Sequence, residues 1–103
     1  MAKTARALLP DQIAKRLTSR SEWSQTGDAI QRTFAFTNFI QSMAFVEAMA
    51  AEAERVQHHP DILIRYNKVT LTLSTHDAKG ITAKDFDAAE FADNLFGVAG
   101  GGQ

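Results

Sequence analysis

The sequence contains no cysteine, which excludes disulfide bonds, thiolate metal sites and cysteine nucleophiles. It has no apolar run near the roughly 18 residues that a membrane span needs, so no membrane partner is expected. Its first residues also lack the basic-then-apolar pattern of a secretory signal, because the apolar residues stop at Pro10. The sequence therefore predicts a cytoplasmic location.

Neither sign of charge is in excess. Eleven Lys and Arg residues stand against twelve Asp and Glu residues, for a net charge of −1, which argues against a nucleic-acid partner. The composition is that of an ordinary globular protein: 45% of the 103 residues are hydrophobic and 22% are charged. We expect one domain over residues 1–103, in which Gly97 ends the last helix and residues 97–103 form a flexible tail.

Apolar periodicity in the first half of the chain predicts a helix and two strands. The helix begins at Pro10, which suits a first helical turn, and continues to about Arg20. A short strand follows over Ser21–Gln25. After a turn at Gly27, a second strand places four side chains on one side: Ile30, Arg32, Phe34 and Phe36.

The next segment predicts a helix over residues 38–56, capped by Thr37 or Asn38 and ending near Gln57. Five apolar residues recur at helical spacing: Phe39, Met43, Val46, Ala50 and Ala53. Phe45 and Met49 form a second apolar row beside them. A helix apolar over so wide an arc is expected to contact the sheet and a neighbouring subunit, with core packing alone as the alternative.

The second half predicts a hairpin followed by a helix. Residues 62–66 and 69–75 alternate as strands around a turn at 67–68, and Thr82-Ala83-Lys84-Asp85 has the form of a capping box. The predicted fold is α+β: a four-stranded antiparallel sheet with three helices packed on one face, in the order α-β-β-α-β-β-α. Its two edge strands favour pairing between subunits, so a homo-oligomer is expected.

The residues best suited to chemistry are three histidines. His58 and His59 precede Pro60, and His76 ends the strand over 69–75 in phase with the polar residue Ser74. Each histidine has a purely structural alternative. A metal site is disfavoured, because adjacent residues in an extended segment point to opposite sides and no third ligand is close in sequence.

General acid–base catalysis is the remaining interpretation, since histidine exchanges protons near neutral pH. Glu54 lies four residues before His58 and can orient it, or can simply be an exposed carboxylate. Asp85 is the N3 residue of the capping box, a structural role that is compatible with a second role at a site.

Seven positions follow one pattern: Glu54-x3-His58-His59-Pro60-x5-Tyr66-x9-His76-x8-Asp85. This pattern resembles the signature of the pterin-4a-carbinolamine dehydratases. The runs Tyr66-Asn67-Lys68-Val69 and Leu73-Ser74-Thr75-His76 are also similar to that family. The specific match covers about residues 54–85. The resemblance implies the same element order, and assembly as a homodimer or homotetramer.

The resemblance also implies an activity, a hydro-lyase that removes water from 4a-hydroxytetrahydropterin during tetrahydrobiopterin recycling for aromatic amino acid hydroxylases. It implies His58 and His76 as proton-transfer residues and His59 as a catalytic-site substrate contact. Glu54 and Asp85 are then supporting residues, and the backbone at Ser74 and Thr75 edges the pterin ring. No cofactor and no metal are implied, because the substrate is itself a pterin and no redox change occurs.

A protein-binding role is the alternative function. Some relatives of this fold serve as dimerisation partners of a transcription factor or as assembly helpers for another enzyme. The helix over 38–56 is the surface for such a partner. Because this chain keeps all three histidines, the dehydratase interpretation is favoured over a purely structural role.

Overall fold

The computed structural model describes residues 6–99 and contains three α-helices, one 3-10 turn and four strands. In chain order they are α1 (Pro10–Thr18), β1 (Ser24–Thr26), β2 (Ala29–Ala35), α2 (Phe39–Val56), β3 (Asp61–Arg65), β4 (Lys68–Leu73), the 3-10 turn (His76–Ala78) and α3 (Ala83–Ala99). The predicted α+β class and element order are confirmed. Among the described residues, none of the helices has the length and apolarity needed to cross a membrane.

The four strands form one antiparallel sheet in the order β1-β2-β4-β3. In the register of the central pair, Ile30 lies opposite Leu73 and Phe34 opposite Val69. These residues share the face that the helices cover. Because side chains alternate along a strand, the intervening residues, such as Thr33 and Thr70, lie on the other, polar face.

The core lies between the sheet and the helices. Phe34 is central to it: its ring centroid is 4.8 Å from that of Phe45 on α2 and 5.2 Å from that of Phe96 on α3. Burying each such ring contributes roughly 1.5–3 kcal/mol. The other buried members of this core include Ile13, Trp23, Ile30, Phe36, Met49, Val69, Leu71, Leu73, Ile81, Phe86, Ala89 and Ala92.

Three strand predictions differ from the structure. The third strand is Asp61–Arg65 instead of residues 62–66, and its hairpin turn is at residues 66–67 instead of 67–68, with Tyr66 in the left-handed region. The first strand is Ser24–Thr26, and Trp23 precedes it, with its indole buried and its Nε1 donating a hydrogen bond to Asp93. The fourth strand ends at Leu73 rather than at Thr75. Beyond it the chain turns into the 3-10 segment, and Thr75 forms only an isolated bridge with Gly80.

The C-terminal ends of two helices also differ from the prediction. Helix α1 ends at Thr18 instead of Arg20. Helix α3 does not end at Gly97 but continues to Ala99. Phe96, packed against Phe34 and Phe36, ties the last turns to the core, and this packing outweighs the roughly 1 kcal/mol that a helical glycine costs. The rest of the predicted tail, residues 100–103, lies outside the described residues.

Helix α2 turns its second apolar row to the core. Phe45 and Met49 are buried together with Ser42 and Ala53. Burial of Ser42 is possible because its hydroxyl donates to the carbonyl oxygen of Asn38, 3.2 Å away. In the sequence, Ser42 interrupts the apolar pattern of this buried row. The longer stripe that the sequence predicted begins at Phe39, whose side chain is exposed in the structure.

Asn38 caps this helix, and its removal gives a direct stability prediction. The Oδ1 atom of Asn38 accepts a hydrogen bond from the backbone N–H of Gln41 at 2.9 Å. Replacing Asn38 with alanine is expected to lower the free energy of unfolding by about 1 kcal/mol, measured by urea denaturation. Thr37→Ala is the matched control, since Thr37 is exposed and not the capping residue; an equal loss in both variants would refute the cap assignment.

Candidate active site

Residues 58–61 separate two cavities. The segment follows the end of α2, where Gln57 takes a left-handed conformation with φ 55°. From there the side chains alternate. His59 and Asp61 line a polar cavity of about 280 Å³, whereas His58 and Pro60 line an apolar cavity of about 200 Å³. The sequence expectation that the adjacent histidines point to opposite sides is confirmed.

The polar cavity lies where the sheet ends. The β3·β4 ladder stops at the pair Asp61–Thr72 and the β2·β4 ladder at Ile30–Leu73, so the main-chain groups of Ser74 lie beyond both ladders. The polar phase predicted for His76 is confirmed, because its side chain shares this cavity with Thr72 and Ser74 although the strand has already ended.

Two hydrogen bonds hold the hydroxyls that line this cavity. The Oγ atom of Ser74 donates to the carbonyl oxygen of Asp28 at 2.9 Å. Thr72 accepts from the side-chain amide of Gln31 at 3.0 Å. These bonds tie the cavity floor to β2 and to the turn before it, so the cavity is a formed part of the fold.

His59 is paired with Glu54. The Nε2 atom of His59 lies 2.6 Å from Oε2 of Glu54, and the two side chains are 52% and 74% exposed. The sequence suggested Glu54 as a partner for His58. That pairing does not form, because α2 ends at Val56 and the chain reverses at Gln57 before the histidines. An exposed pair of this kind contributes little to stability and mainly sets the orientation of the ring.

His58 is paired with Asp85 at the start of α3. The Nε2 atom of His58 lies 2.6 Å from Oδ1 of Asp85, whose side chain is fully buried. The other carboxylate oxygen accepts from Thr75 Oγ1 at 2.8 Å and from the backbone N–H of Thr82 at 2.9 Å. The last bond is the one expected of a capping box, so Asp85 holds the helix start and the imidazole together.

The apolar cavity lies between the end of α2 and the start of α3. Met49, Ala53 and Ala88 give it an apolar wall, and Glu52 lies at its edge. Two hydrogen bonds from Arg55 lower the pKa of Glu52, assisted by the positive charge and opposed by partial desolvation. Glu52 is therefore ionised at neutral pH, with its charge balanced by Arg55.

The structure brings some of the predicted site residues together and separates others. His59, His76 and Ser74 share the polar cavity. His58 borders the apolar cavity with Pro60. Thr75 is buried, and its backbone N–H donates to the carbonyl oxygen of Gly80, so its polar groups are already satisfied within the protein.

Sequence reasoning missed three residues of the site. Asp61 and Thr72 line the polar cavity, and Thr82 holds the Asp85 carboxylate. Strand alternation carried the signal for the first two, since Asp61 is in phase with His59 and Thr72 is in phase with His76. Among residues 6–99, no three His, Asp or Glu side chains are grouped so that they could hold a metal ion.

On this small α+β protein two histidines, His59 and His76, face one polar cavity, and the rings of His58 and His59 each contact a carboxylate. The family model described as "Pterin 4 alpha carbinolamine dehydratase" matches residues 6–95 of the chain. The chain belongs to this family, which confirms the sequence-based identification; the name describes a hydro-lyase.

Curated relatives agree with this assignment. The chain is 48% identical to a Picosynechococcus protein that is provisionally named a pterin-4-alpha-carbinolamine dehydratase, over 88% of this chain and 99% of the relative. It is 49% identical to a protein of the same provisional name from Acidobacterium capsulatum, over 85% of this chain and 96% of the relative.

Similar solved structures include two proteins related to pterin dehydratases. One is the crystal structure of a transcriptional coactivator/pterin dehydratase from Brucella melitensis, with a TM-score of 0.85 and 29% identity over 87% of this chain and 98% of that one. The other is a pterin dehydratase-like protein identified as a RuBisCO assembly factor in the alpha-carboxysome, with a TM-score of 0.61 and 26% identity over 73% and 87% of the two chains.

Proposed function

We propose that this protein dehydrates 4a-hydroxytetrahydropterin to quinonoid dihydropterin. In this reaction the C4a–O bond breaks and the hydroxyl leaves as water after taking a proton from an acid. N5 gives its proton to a base, and the electron pair of the N–H bond forms the C4a=N5 double bond. No electrons leave or enter the substrate, so the proposed reaction requires no redox cofactor, and proton transfer is the main catalytic demand.

The observation that carries the proposal is the placement of His59 and His76 on the walls of one polar cavity, in a chain of this family. A bicyclic ligand with many hydrogen-bonding edges suits a cavity lined by imidazoles, hydroxyls and a carboxylate. Its volume of about 280 Å³ lies just below the range for ligand pockets, about 300–1,000 Å³.

In this proposal His76 exchanges a proton with the substrate in the polar cavity, where His59, held by Glu54, contacts and orients it. His58 borders the apolar cavity on the other side of residues 58–61, so its proposed proton transfer requires the substrate to contact both sides of this segment. The main-chain groups of Ser74 pair with the edge of the pterin ring, because they lie beyond both ladders. Thr75 supports the site from within the protein, since its polar groups are already bonded.

We also propose where this enzyme acts and how it assembles. The substrate is the spent cofactor of aromatic amino acid hydroxylases, so we place the protein in cytoplasmic tetrahydrobiopterin recycling. We further propose a homodimer or homotetramer as the functional assembly, for which the exposed edge strands β1 and β3 offer unpaired backbone groups.

A protein-binding role is the second candidate, favoured by the start of α2. Phe39 is 45% exposed and Ile40 is 74% exposed, on a helix whose opposite face is buried. Two similar proteins are described as a transcriptional coactivator/pterin dehydratase and as a RuBisCO assembly factor. We propose this surface as the place where a protein partner would bind, alongside catalysis.

The dehydratase proposal is tested by rapid mixing of the protein with freshly generated 4a-hydroxytetrahydropterin, followed by absorbance. We expect the wild-type protein to accelerate dehydration and the His58→Ala, His76→Ala double variant to lose that acceleration. Circular dichroism checks that the variant is folded. If a folded, oligomeric wild-type protein gives no acceleration, the dehydratase proposal fails and the protein-binding role takes its place.

A further inference from the structure

The Asp85 carboxylate is fully buried, and each of its oxygens has a hydrogen-bond partner. Its Oδ2 atom accepts from the backbone N–H of Thr82 and from the Thr75 hydroxyl. Among residues 6–99, its Oδ1 atom has one hydrogen-bond partner, the Nε2 atom of His58 at 2.6 Å. A buried carboxylate is stable when each oxygen accepts hydrogen bonds, so the direction of each proton in this cluster matters.

The hydroxyl protons have one consistent arrangement. The backbone N–H of Lys84 donates to Thr82 Oγ1 at 3.2 Å. The Thr75 hydroxyl donates its single proton to Asp85. In the 2.7 Å contact between the Thr75 and Thr82 hydroxyls, the donor must therefore be Thr82. Donation therefore runs in one direction, from Lys84 through Thr82 and Thr75 to Oδ2 of Asp85.

We infer that this chain of hydroxyls and the Asp85 carboxylate hold neutral His58 in the tautomer that carries its proton on Nε2. Nδ1 is then the nitrogen that exchanges a proton with a bound molecule. It has no hydrogen-bond partner among residues 6–99, and the His58 side chain is 11% exposed. Thr75 and Thr82 are positioning residues that act through Asp85.

The catalytic consequence rests on the proposed dehydratase function, but the tautomer does not. His59 provides an internal comparison, since its Nε2 atom also faces a carboxylate, that of Glu54. That pair is exposed, and water can replace the carboxylate as a partner. The buried pair of His58 and Asp85 has no such alternative. The tautomer of His58 should therefore depend on Asp85, whereas that of His59 should not.

Asp85→Asn tests the inference because the same donors determine how an asparagine must lie. The Thr75 hydroxyl and the Thr82 N–H require the amide oxygen at the Oδ2 position. The amide NH₂ group then faces His58 and donates to Nε2, which places the histidine proton on Nδ1. The side chain keeps its shape, and only the tautomer of His58 should reverse.

The measurement is a long-range ¹H–¹⁵N spectrum of protein labelled at histidine, recorded at a pH where the rings are neutral. Signals of His58 are assigned by their loss in His58→Gln. We expect Nε2–H in the wild-type protein, Nδ1–H in Asp85→Asn, and an unchanged His59 in both. A wild-type His58 with its proton on Nδ1 would overturn the inference, since Asp85 would then carry the second proton.

Thr75→Val and Thr75→Ser form a matched pair that does not depend on the asparagine variant folding. Valine removes the donor to Oδ2 and should shift the Nε2 signal of His58 toward the unprotonated range. Serine keeps the donor and should restore the wild-type signal. Equal spectra for valine and serine would remove Thr75 from the positioning role.

Measuring kcat distinguishes a failure of this inference from a failure of the proposed function. If the wild-type protein dehydrates the substrate, Asp85→Asn should lower kcat by up to about 10⁴-fold, the loss seen when an oriented catalytic histidine takes the wrong tautomer. Unchanged kcat with a reversed tautomer would overturn the role of Nδ1. If the wild-type protein is inactive but the tautomers are as expected, the proposed function fails while the assignment of the proton stands.

Discussion

Replacing His76 with alanine is expected to lower the turnover of 4a-hydroxytetrahydropterin by about 10²–10⁴-fold, the usual contribution of one positioned acid or base. His76 lies in an exposed 3-10 turn and lines the polar cavity, so its loss removes a proton-transfer group without opening the core. The free energy of unfolding should therefore change by less than about 0.5 kcal/mol. Stopped-flow absorbance gives kcat and KM, and thermal unfolding gives the stability.

The neighbouring Asp77→Ala variant is the control, since Asp77 is in the same exposed turn and does not line the cavity. It should retain wild-type turnover. His59→Gln should raise KM more than it lowers kcat, because His59 is assigned to binding. Retention of full kcat by folded His76→Ala would remove this residue from the proposed mechanism.

Replacing Asp93 with alanine is expected to lower the free energy of unfolding by about 3–5 kcal/mol, the cost of leaving a buried charge without its partner. Asp93 on α3 accepts hydrogen bonds from Arg32 at 2.7 Å, Arg20 at 3.0 Å and the Trp23 indole at 2.9 Å. The Arg32 side chain is only 15% exposed.

Arg32 has little means of finding another partner. Its guanidinium carbon lies 4.3 Å from the centroid of the Phe34 ring, on the core side of the sheet. Its Nε atom is buried with no hydrogen-bond partner among the described residues. Since domains are commonly stable by about 5–15 kcal/mol, losing Asp93 should remove a large share of the stability of this fold.

Urea denaturation measures this loss, and Glu90→Ala is the matched control. Glu90 is 58% exposed and lies 3.8 Å from Arg20, so its removal should cost less than about 1 kcal/mol. A loss of less than about 1 kcal/mol for Asp93→Ala as well would show that water replaces the carboxylate and that the cluster does not stabilise the fold.

The cluster around Asp93 illustrates what local sequence patterns miss. Alternation placed Arg32 on the same side as Ile30 and Phe34, and the structure confirms that placement. A charged residue on a core face needs a buried partner, but its partner lies 61 residues away on another helix. Such a pairing depends on how elements pack, which periodicity does not describe.

The two histidine–carboxylate pairs also show which contacts sequence spacing predicts and which it misses. Spacing along a helix suggested that Glu54 would orient His58, because four residues make one turn. The left-handed residue at Gln57 ends the helix first, so Glu54 meets His59 instead. The partner of His58 is Asp85, 27 residues further along. The capping role of Asp85 was visible in sequence because it involves residues three apart, whereas its contact with His58 was not.

The sequence by itself determined the element order, the polar phase of His76 and the family, because all three follow from the spacing of residues that are near in the chain. Only the tertiary structure decided that residues 58–61 separate two cavities, that His59 shares one with His76, and that Asp85 is buried against His58. Those outcomes follow from the packing of the α3 start against the chain beyond α2. Packing joins groups that are distant in sequence, and it decides which polar groups lose water and must find a partner inside the protein.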